Sequence, residues 1–442
     1  MEIFATIAQA LTEMTSSAWF FFSHGAWVIF AILVYVMLRK LYMDRINGAF
    51  IMSNTPVFLH IKIEKENLQS NLAVEQIFAN LHAMHGNFTW AEIHLEGKIQ
   101  LWISFEIVSL GGKISYIVRT PEKLINLVQS VFYAQYPNAE ISQVEDYMKN
   151  LEHWDQHHAT WDLWGTEFKM TRDYAYPIKT WREFEHPSAE VPILDPLTSM
   201  LEALSRAEAH ELLAMQIIIR PVADNEWVPH VQEVVKKLKE EPVPHKATWV
   251  DRIFPFVNWG SEKTLFEVIA GGEGGHGGHD DKKPDQPKVL RMSEGERNIL
   301  KAIETKITKP GYQVKIKYLY IAPKDKFDGS KKSAMIGAMR GFGGIVTNNL
   351  KPDVSGTWTN YNYKLFKALE KPFVDFVNVE RKHLFLKGYV RRSMWIGANP
   401  MVMNTEELAT LYHFPLATIG TAPVERIDVK KGQPPANLPI MS

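Results

Sequence analysis

The densest group of candidate metal ligands in the sequence is the run HWDQHH at residues 153–158. On a helix, His153 and His157 would share one face at i, i+4 spacing, where both could reach one metal ion. No third ligand follows at a fixed spacing, and Trp154 and Trp161 around the run indicate an aromatic packing or docking surface instead. A metal-dependent enzyme or sensor therefore stands as a hypothesis beside a purely structural interpretation.

A second group of candidate ligands lies in the stretch GGEGGHGGHDDKKPDQP at residues 271–287. It contains His276 and His279 next to Asp280 and Asp281, but its glycine content and charge prevent it from burying enough apolar surface to fold. Such a composition is typical of a solvated linker. We therefore expect an exposed, flexible loop here rather than a metal site.

No residue pattern in the sequence indicates a recognisable catalytic mechanism. The sequence lacks a phosphate-binding G-x-x-x-x-G-K-[ST] loop, a G-x-S-x-G nucleophile turn and the H-E-x-x-H zinc motif. It contains no cysteine, which excludes disulfides, zinc ribbons and thiol catalysis. The net charge is −1, so no global basic excess indicates nucleic acid as a partner. We expect a protein that is not an enzyme and holds no cofactor.

Cations and aromatic side chains alternate in one stretch towards the C-terminus. This pattern is typical of proteins that bind nucleic-acid strands, in which cations meet phosphates and aromatic rings stack on bases. The alternative is a solvated basic face balanced by nearby acidic residues. The candidate nucleic-acid contacts are Lys382, Lys387, Arg391 and Arg392, interleaved with Phe385, Tyr389 and Trp395.

The elements that would position these residues begin with an apolar stretch near the N-terminus. Residues 19–38 contain no Asp, Glu, Lys or Arg, and as a helix they would extend about 30 Å, the thickness of a bilayer core. Arg39, Lys40 and Arg45 follow this stretch, and no Lys or Arg precedes it. The positive-inside rule then places residues 1–18 outside and the remainder in the cytoplasm. The sequence predicts a single-pass helix in the lipid bilayer of the cytoplasmic (inner) membrane.

Two segments with helix and strand patterns follow the apolar stretch. Residues 55–148 have the pattern β-α-β-β-(β)-α-β, in which residues 91–95, 99–108 and 113–118 are strands, and this is the split βαβ or ferredoxin-like arrangement. Residues 160–347 show a similar rhythm, interrupted by a flexible insertion at 241–292. Residues 350–442 contain the basic stretch, a short helix and a proline-rich tail. We therefore predict an α+β fold with one transmembrane helix, two ferredoxin-like domains and an extended C-terminal segment.

Short motifs follow one another along the predicted cytoplasmic part. YAQYP at 133–137 closes a predicted helix, DPL at 195–197 precedes the next helix, and NTEELATLYHFP lies at 404–415. This succession resembles the region before the motor in membrane-anchored conjugation and type IV secretion-like ATPases. In those proteins a motor with Walker motifs follows, and this sequence has none. The resemblance implies either pairing with a separate motor ATPase or an uncoupled relative, and it carries over no ATPase residue.

Two functional hypotheses follow. The first is a structural or docking subunit of a type IV secretion-like or conjugative DNA-transfer apparatus, which forms homo-oligomers and pairs with a separate motor ATPase. The second is a membrane-tethered adaptor that binds nucleic acid through residues 382–395. Local capping and packing would explain the candidates for the first hypothesis equally well, because Asn404 and Glu407 have the spacing of a helix capping box. These interface candidates are Tyr136, Pro137, Glu406, Glu407, His413, Phe414 and Pro415.

Overall fold

The computed structural model of the protein describes residues 16, 19, 23, 25, 27–64, 67–149, 160–184, 195–239, 292–344, 347–359, 367–415 and 424–427. Strands form where apolar and β-branched residues dominate short runs. They are β1 (Pro56–Glu64), β2 (Ile103–Leu110), β3 (Lys113–Pro121), β4 (Glu140–Val144), β5 (Trp161–Met170), β6 (Leu212–Val222), β7 (Gly311–Pro323), β8 (Leu350–Pro352), β9 (Met401–Asn404) and β10 (Arg426–Ile427).

Helices occupy most of the remaining described chain. Several begin at side-chain caps, which satisfy backbone N–H groups of the first turn, as at Asp195 and Ser293. The helices are α1 (Trp27–Met52), α2 (Asn71–Leu81), α3 (Trp90–His94), α4 (Ile125–Gln135), α5 (Pro196–Ser205), α6 (Asp224–Lys239), α7 (Glu294–Lys306), α8 (Gly329–Arg340), α9 (Lys367–Val390) and α10 (Thr405–Leu411).

The ten described strands pair into a single, mainly antiparallel sheet in the order β10-β1-β3-β2-β6-β7-β5-β8, with β4 beside β1 and β9 beside β7. The first four strands form one unit, in which β1 lies between β3 and β4. The next four form a second unit, in which β5 lies between β7 and β8. Strands β2 and β6 join the units along their lengths, from Ile103 opposite Ile219 to Leu110 opposite Leu212. The result is an α+β fold built on one large antiparallel sheet.

The prediction of a transmembrane helix over residues 19–38 is wrong. Within the residues that the structure describes, no helix is long and apolar enough to cross a membrane. The described helix α1 contains 12 uncharged residues, from Trp27 to Leu38, which extend about 18 Å against the roughly 30 Å of a bilayer core. Arg39 and Lys40 then introduce charge into the middle of the helix. The predicted fold class is corrected accordingly.

The two faces of the sheet are covered by different helices. One face carries the main apolar core, to which α2, α4, α5, α8 and α10 contribute side chains such as Phe78, Phe132 and Leu408. The opposite face is covered by α9, whose Phe385 and Tyr389 pack against the strands. Strand β6 lies in the middle of the sheet and is buried on both faces, as its continuous apolar run predicts.

Candidate docking interface

The short helix α10 from the NTEELATLYHFP motif lies inside the fold. All seven of its residues are buried. The predicted capping box is confirmed, because the Glu407 N–H donates to Asn404 Oδ1 at 2.9 Å and the Asn404 N–H donates to Glu407 Oε2 at 3.0 Å. Glu407 also accepts a hydrogen bond from the backbone N–H of Ile178 at 3.0 Å. The carboxylate therefore joins the start of α10 to the segment at Ile178.

Glu407 forms a fully buried ion pair with Lys306, the last residue of α7. The Lys306 Nζ lies 2.8 Å from Glu407 Oε2, and neither side chain is exposed to solvent. The ammonium also donates to the carbonyls of Tyr174 and Val402, at 2.6 and 3.0 Å. Burial lowers the pKa of Lys306, and the Glu407 charge offsets part of that effect. The pair fixes α10 against the end of α7, and the Lys306 ammonium also holds the segments at Tyr174 and Val402.

Glu406 belongs to a second, partly buried charge cluster. It pairs with Lys309 and lies 3.3 Å from Arg182 Nε. Lys309 also pairs with Glu75 on α2 at 2.6 Å. The indole N–H of Trp181 donates to the same Glu75 carboxylate at 3.0 Å. This cluster ties α10 to α2, so the Glu406 carboxylate is already partnered within the chain.

His413 is buried and both of its ring nitrogens face oxygen acceptors. Its Nδ1 lies 2.9 Å from the carbonyl oxygen of Ala409, and its Nε2 lies 2.9 Å from Asp195 Oδ2. Asp195 is also the N-cap of α5. The pKa of the Asp195 carboxyl is lowered. Burial alone would raise it, but the charge and hydrogen bond of His413 and the cap hydrogen bond from Leu197 together outweigh burial. The pair ties the segment after α10 to the N-terminus of α5.

The remaining interface candidates surround Phe414. Its ring lies 5.3 Å from the ring of Tyr136 and 4.8 Å from that of Tyr116, measured between centroids. Pro415 is buried as well, whereas Pro137 is exposed. Six of the seven candidates are therefore buried within their own chain, as the alternative of capping and packing describes. A docking role for them remains an untested prediction.

The four basic candidates divide into two pairs. Lys382 forms an ion pair with Asp162, and Arg392 is buried. Lys387 and Arg391 are exposed on α9 and directly after it. Two of the four candidate cations, Lys387 and Arg391, are therefore exposed, whereas Lys382 and Arg392 are held in ion pairs.

Arg392 is the centre of a buried network between the sheet and the C-terminal segment. Its Nε and Nη2 lie 3.0 and 3.2 Å from the two carboxylate oxygens of Glu106 on β2. Its Nη2 also donates to Asp146 Oδ1 at 2.8 Å. Burial alone would raise the pKa of Glu106, but the Arg392 charge and the hydrogen bonds from Arg392, Tyr147 and Ser104 together outweigh burial, so the pKa is lowered. The Arg392 backbone has a φ of 47°, a left-handed conformation that non-glycine residues adopt rarely.

Neutral side chains complete the hydrogen bonding of Glu106. The hydroxyl of Tyr147 donates to Glu106 Oε2 at 2.7 Å, and the amide of Gln216 donates to Oε1 at 3.1 Å. The Tyr147 hydroxyl also lies 2.8 Å from that of Tyr389 on α9. A buried charged pair stabilises a fold only when its remaining polar atoms are satisfied, and this carboxylate meets that condition.

A third buried cluster fixes the loop that follows α9. Lys315 and Lys317 on β7 lie 3.2 and 3.5 Å from the Glu167 carboxylate on β5. The Lys317 ammonium donates to the carbonyls of Gly388 and Ser393, at 2.9 and 3.3 Å. Burial lowers the pKa of Lys317 to about 7, against the opposing effect of Glu167. The loop is therefore held to the sheet by charge as well as by packing.

These internal clusters hold α9 so that one of its faces is exposed to solvent. The large apolar side chains on this face are Phe373, Phe376 and Leu384, which are 66%, 63% and 53% exposed. Lys387 and Arg391 continue the same face at helical spacing. This exposed face of α9 is apolar in its first half and basic at its end. The sequence signal that could have indicated this exposed face is the i, i+3 spacing of Phe373 and Phe376 among polar residues.

The metal hypothesis gains no support from the described part of the chain. Residues 153–158 and 276–281, which carry the two predicted ligand groups, lie outside the described residues. Among the residues that are described, no group of three or more His, Asp or Glu side chains could hold a metal ion. The described interior is instead built from carboxylate–cation pairs.

The fold and these buried pairs define an α+β protein with one large antiparallel sheet and a C-terminal segment locked to it by ion pairs. Residues 56–342 match a family model described as a domain of unknown function (DUF8128), and the chain belongs to this family. No curated protein matches the sequence. The family match covers the first sheet unit and strands β5, β6 and β7 of the second, and it ends before β8 and α9.

Proposed function

We propose that the protein is a structural docking subunit that binds a separate partner protein through the apolar half of the exposed face of α9. The observation that carries this proposal is the exposure of Phe373 and Phe376, side by side at i, i+3 spacing. Large apolar side chains that share an exposed patch mark protein interaction sites more often than isolated ones do. Aromatic residues are also enriched among the side chains that dominate binding energy.

Rigid support for this face favours docking over a mobile segment. The Arg381 guanidinium donates to the carbonyl of Trp358 at 3.1 Å and to that of Ser355 at 2.8 Å. Lys382 pairs with Asp162 on β5. A surface held in place before binding loses less conformational entropy when a partner arrives. The anchored helix is therefore suited to present Phe373 and Phe376 to a partner.

The class of partner comes from the sequence resemblance. We propose a separate motor ATPase of a type IV secretion-like or conjugative DNA-transfer apparatus, with homo-oligomers of this chain forming the platform. In the proteins that the sequence resembles, the motor follows the C-terminal part of this region. Because α10 is buried, we assign such a contact to α9, which presents Phe373 and Phe376 together on one exposed face.

Site-specific photo-crosslinking in the native host tests this proposal. A photoreactive amino acid at Phe373 or Phe376 should cross-link a polypeptide with Walker motifs. The same amino acid at Leu110, which is 53% exposed on the β2–β3 hairpin, should not. Cross-links to other copies of this chain alone would favour self-association and overturn the motor assignment. Identical products from all three positions would overturn docking on α9.

Binding of the identified ATPase to purified protein provides the quantitative test. The double variant F373S/F376S should weaken binding at least roughly tenfold, because aromatic anchors carry a large share of interface energy. Its melting temperature should match that of the original chain, since both side chains are mostly exposed. Unchanged affinity with an intact fold would contradict the proposal.

A further inference from the structure

The C-terminal end of α1 is seated next to the loop that follows α9. Ile51 packs against a small cluster formed by Trp102, Ile218 and Met394. Gly97 lies against the backbone of Ile46 with a φ of 67°, and a Cβ there would clash with that backbone. The last turns of α1 are thus docked on the body of the protein, and the first half of the helix extends from this point.

Trp395 also contacts Trp102. The two indole rings meet edge to face with 5.0 Å between their centroids. The Trp102 indole N–H donates to the carbonyl of Arg392 at 2.7 Å. Trp395 is nevertheless 54% exposed. The exposed indole of Trp395 is therefore held in place near the C-terminal end of α1.

Exposed cations lie at the end of α9 and along α1. Lys387 and Arg391 lie one helical turn apart on the exposed face of α9, and Arg391 precedes the buried Arg392. Arg39, Lys40 and Arg45 are exposed on α1, with Asp44 as the exposed acid among them. Cations and an interfacial tryptophan are what anionic lipid headgroups attract.

The apolar half of α1 decides between a lipid surface and other anionic partners. None of the residues of α1 is buried, and Trp27–Leu38 is uncharged around the whole helix. A nucleic acid would match the cations but leave this apolar surface in water. A lipid layer matches both.

We propose that Trp395, Lys387 and Arg391 form a headgroup-binding patch near the C-terminal end of α1, and that this patch and the apolar half of α1 together bind an anionic lipid surface. Leu38 and Ile51 are about 20 Å apart along α1, so the helix lies along the lipid surface, with its apolar half at the acyl boundary and the patch at the headgroups. This patch is separate from the docking surface proposed above, because Phe376 and Lys387 are about 16 Å apart along the helix. Lipid binding therefore does not rest on the motor partner.

Vesicle flotation of the full chain tests the charge component. The protein should float with phosphatidylcholine vesicles that contain phosphatidylglycerol and less with phosphatidylcholine alone. The variant K387Q/R391Q should bind the anionic vesicles roughly thirtyfold more weakly, as expected for two cations near such a surface. The matched variant K324Q/K326Q removes two exposed lysines from the loop after β7 and should bind as the original chain does.

A second pair of variants tests the indole. W395S should weaken binding to both kinds of vesicle, whereas W90S, which removes another exposed tryptophan, should not. Equal flotation of K387Q/R391Q and K324Q/K326Q would overturn the proposal. Binding of a single-stranded oligonucleotide gives a second way to overturn it. If K387Q/R391Q abolishes tight oligonucleotide binding and leaves vesicle flotation unchanged, the patch binds nucleic acid instead of lipid.

Discussion

The guanidinium of Arg392 and the carboxylate of Glu106 face each other in a two-point ion pair, with N–O distances of 3.0 and 3.2 Å, although 286 residues separate them in the sequence. Both side chains are buried, so the pair joins the C-terminal segment to the first unit of the sheet in a medium where an unpaired charge is costly. The positive φ of Arg392 indicates that the surrounding contacts outweigh a backbone conformation that is unfavourable by itself.

Removing this arginine should be strongly destabilising. Arg392→Met leaves Glu106 and Asp146 without their cation, and we expect a loss of about 3–5 kcal/mol in the free energy of unfolding. Arg391→Met changes the neighbouring exposed arginine and should cost less than about 0.5 kcal/mol. Urea unfolding of both variants measures the difference. Equal stability of the two would show that the buried network contributes little.

The Arg392 network also shows which parts of the structure the sequence could predict. Alternation and apolar runs predicted the strands β1 to β4, but the strand predicted at residues 91–95 is wrong, since the helix α3 occupies that position. The continuous apolar run in β6 predicted a strand buried on both faces. The spacing of Asn404 and Glu407 predicted their capping box. These features depend on residues close together in the chain, whose periodicity is visible in one dimension.

Long-range pairings were not visible in this way. Arg392 looked like one cation of a basic patch because nothing near it indicates Glu106 or Asp146. The acidic residues of α10 looked like surface positions because their partners, Lys306 and Lys309, lie about a hundred residues earlier. The uncharged stretch at 19–38 indicated a bilayer crossing by length alone, and the described helix is not long and apolar enough for one.

The buried pair of Lys306 and Glu407 should be strongly coupled. Either Lys306→Met or Glu407→Leu alone leaves an unpaired buried charge and should cost about 3–5 kcal/mol. The double variant should recover part of that loss, because it leaves no unpaired buried charge, while the N–H groups of Asn404 and Ile178 still lack their carboxylate acceptor. A double-mutant cycle by urea unfolding gives the coupling energy. Additive losses in the double variant would contradict this account of the pair.

Lys317 should give the protein a measurable pH dependence. Its pKa is about 7 in the folded chain because of burial, against about 10.4 in an unfolded chain. Between these values the unfolded state binds more protons, so this residue makes the free energy of unfolding rise with pH, by up to about 1.4 kcal/mol per unit.

Unfolding of the original chain and of Lys317→Met between about pH 7 and about pH 10 measures this effect. The slope should be smaller in the variant, while Lys324→Met, at an exposed position, should keep the original slope. The comparison uses slopes because the variant also loses hydrogen bonds to Gly388 and Ser393, which changes stability at every pH. Parallel slopes in all three proteins would rule out Lys317 as their source.

The last prediction concerns the C-terminal segment. A chain ending at residue 399 loses β9, which pairs with β7 from Gly311 to Val314, and loses α10 with its buried side chains. It also leaves Lys306 without Glu407. The exposed core and the unpaired charge together should prevent cooperative folding, since their combined cost approaches the roughly 5–15 kcal/mol that stabilises a typical folded protein.

A chain ending at residue 427 keeps every described residue and is the matched control. It should unfold cooperatively at the melting temperature of the full chain. Phe414→Ala in the full chain tests the same packing without truncation and should cost about 3–5 kcal/mol, as expected for a buried aromatic side chain. Thermal unfolding followed by circular dichroism measures all three. If the chain ending at 399 unfolds cooperatively within a few degrees of the control, α10 is not part of the core that stabilises the sheet.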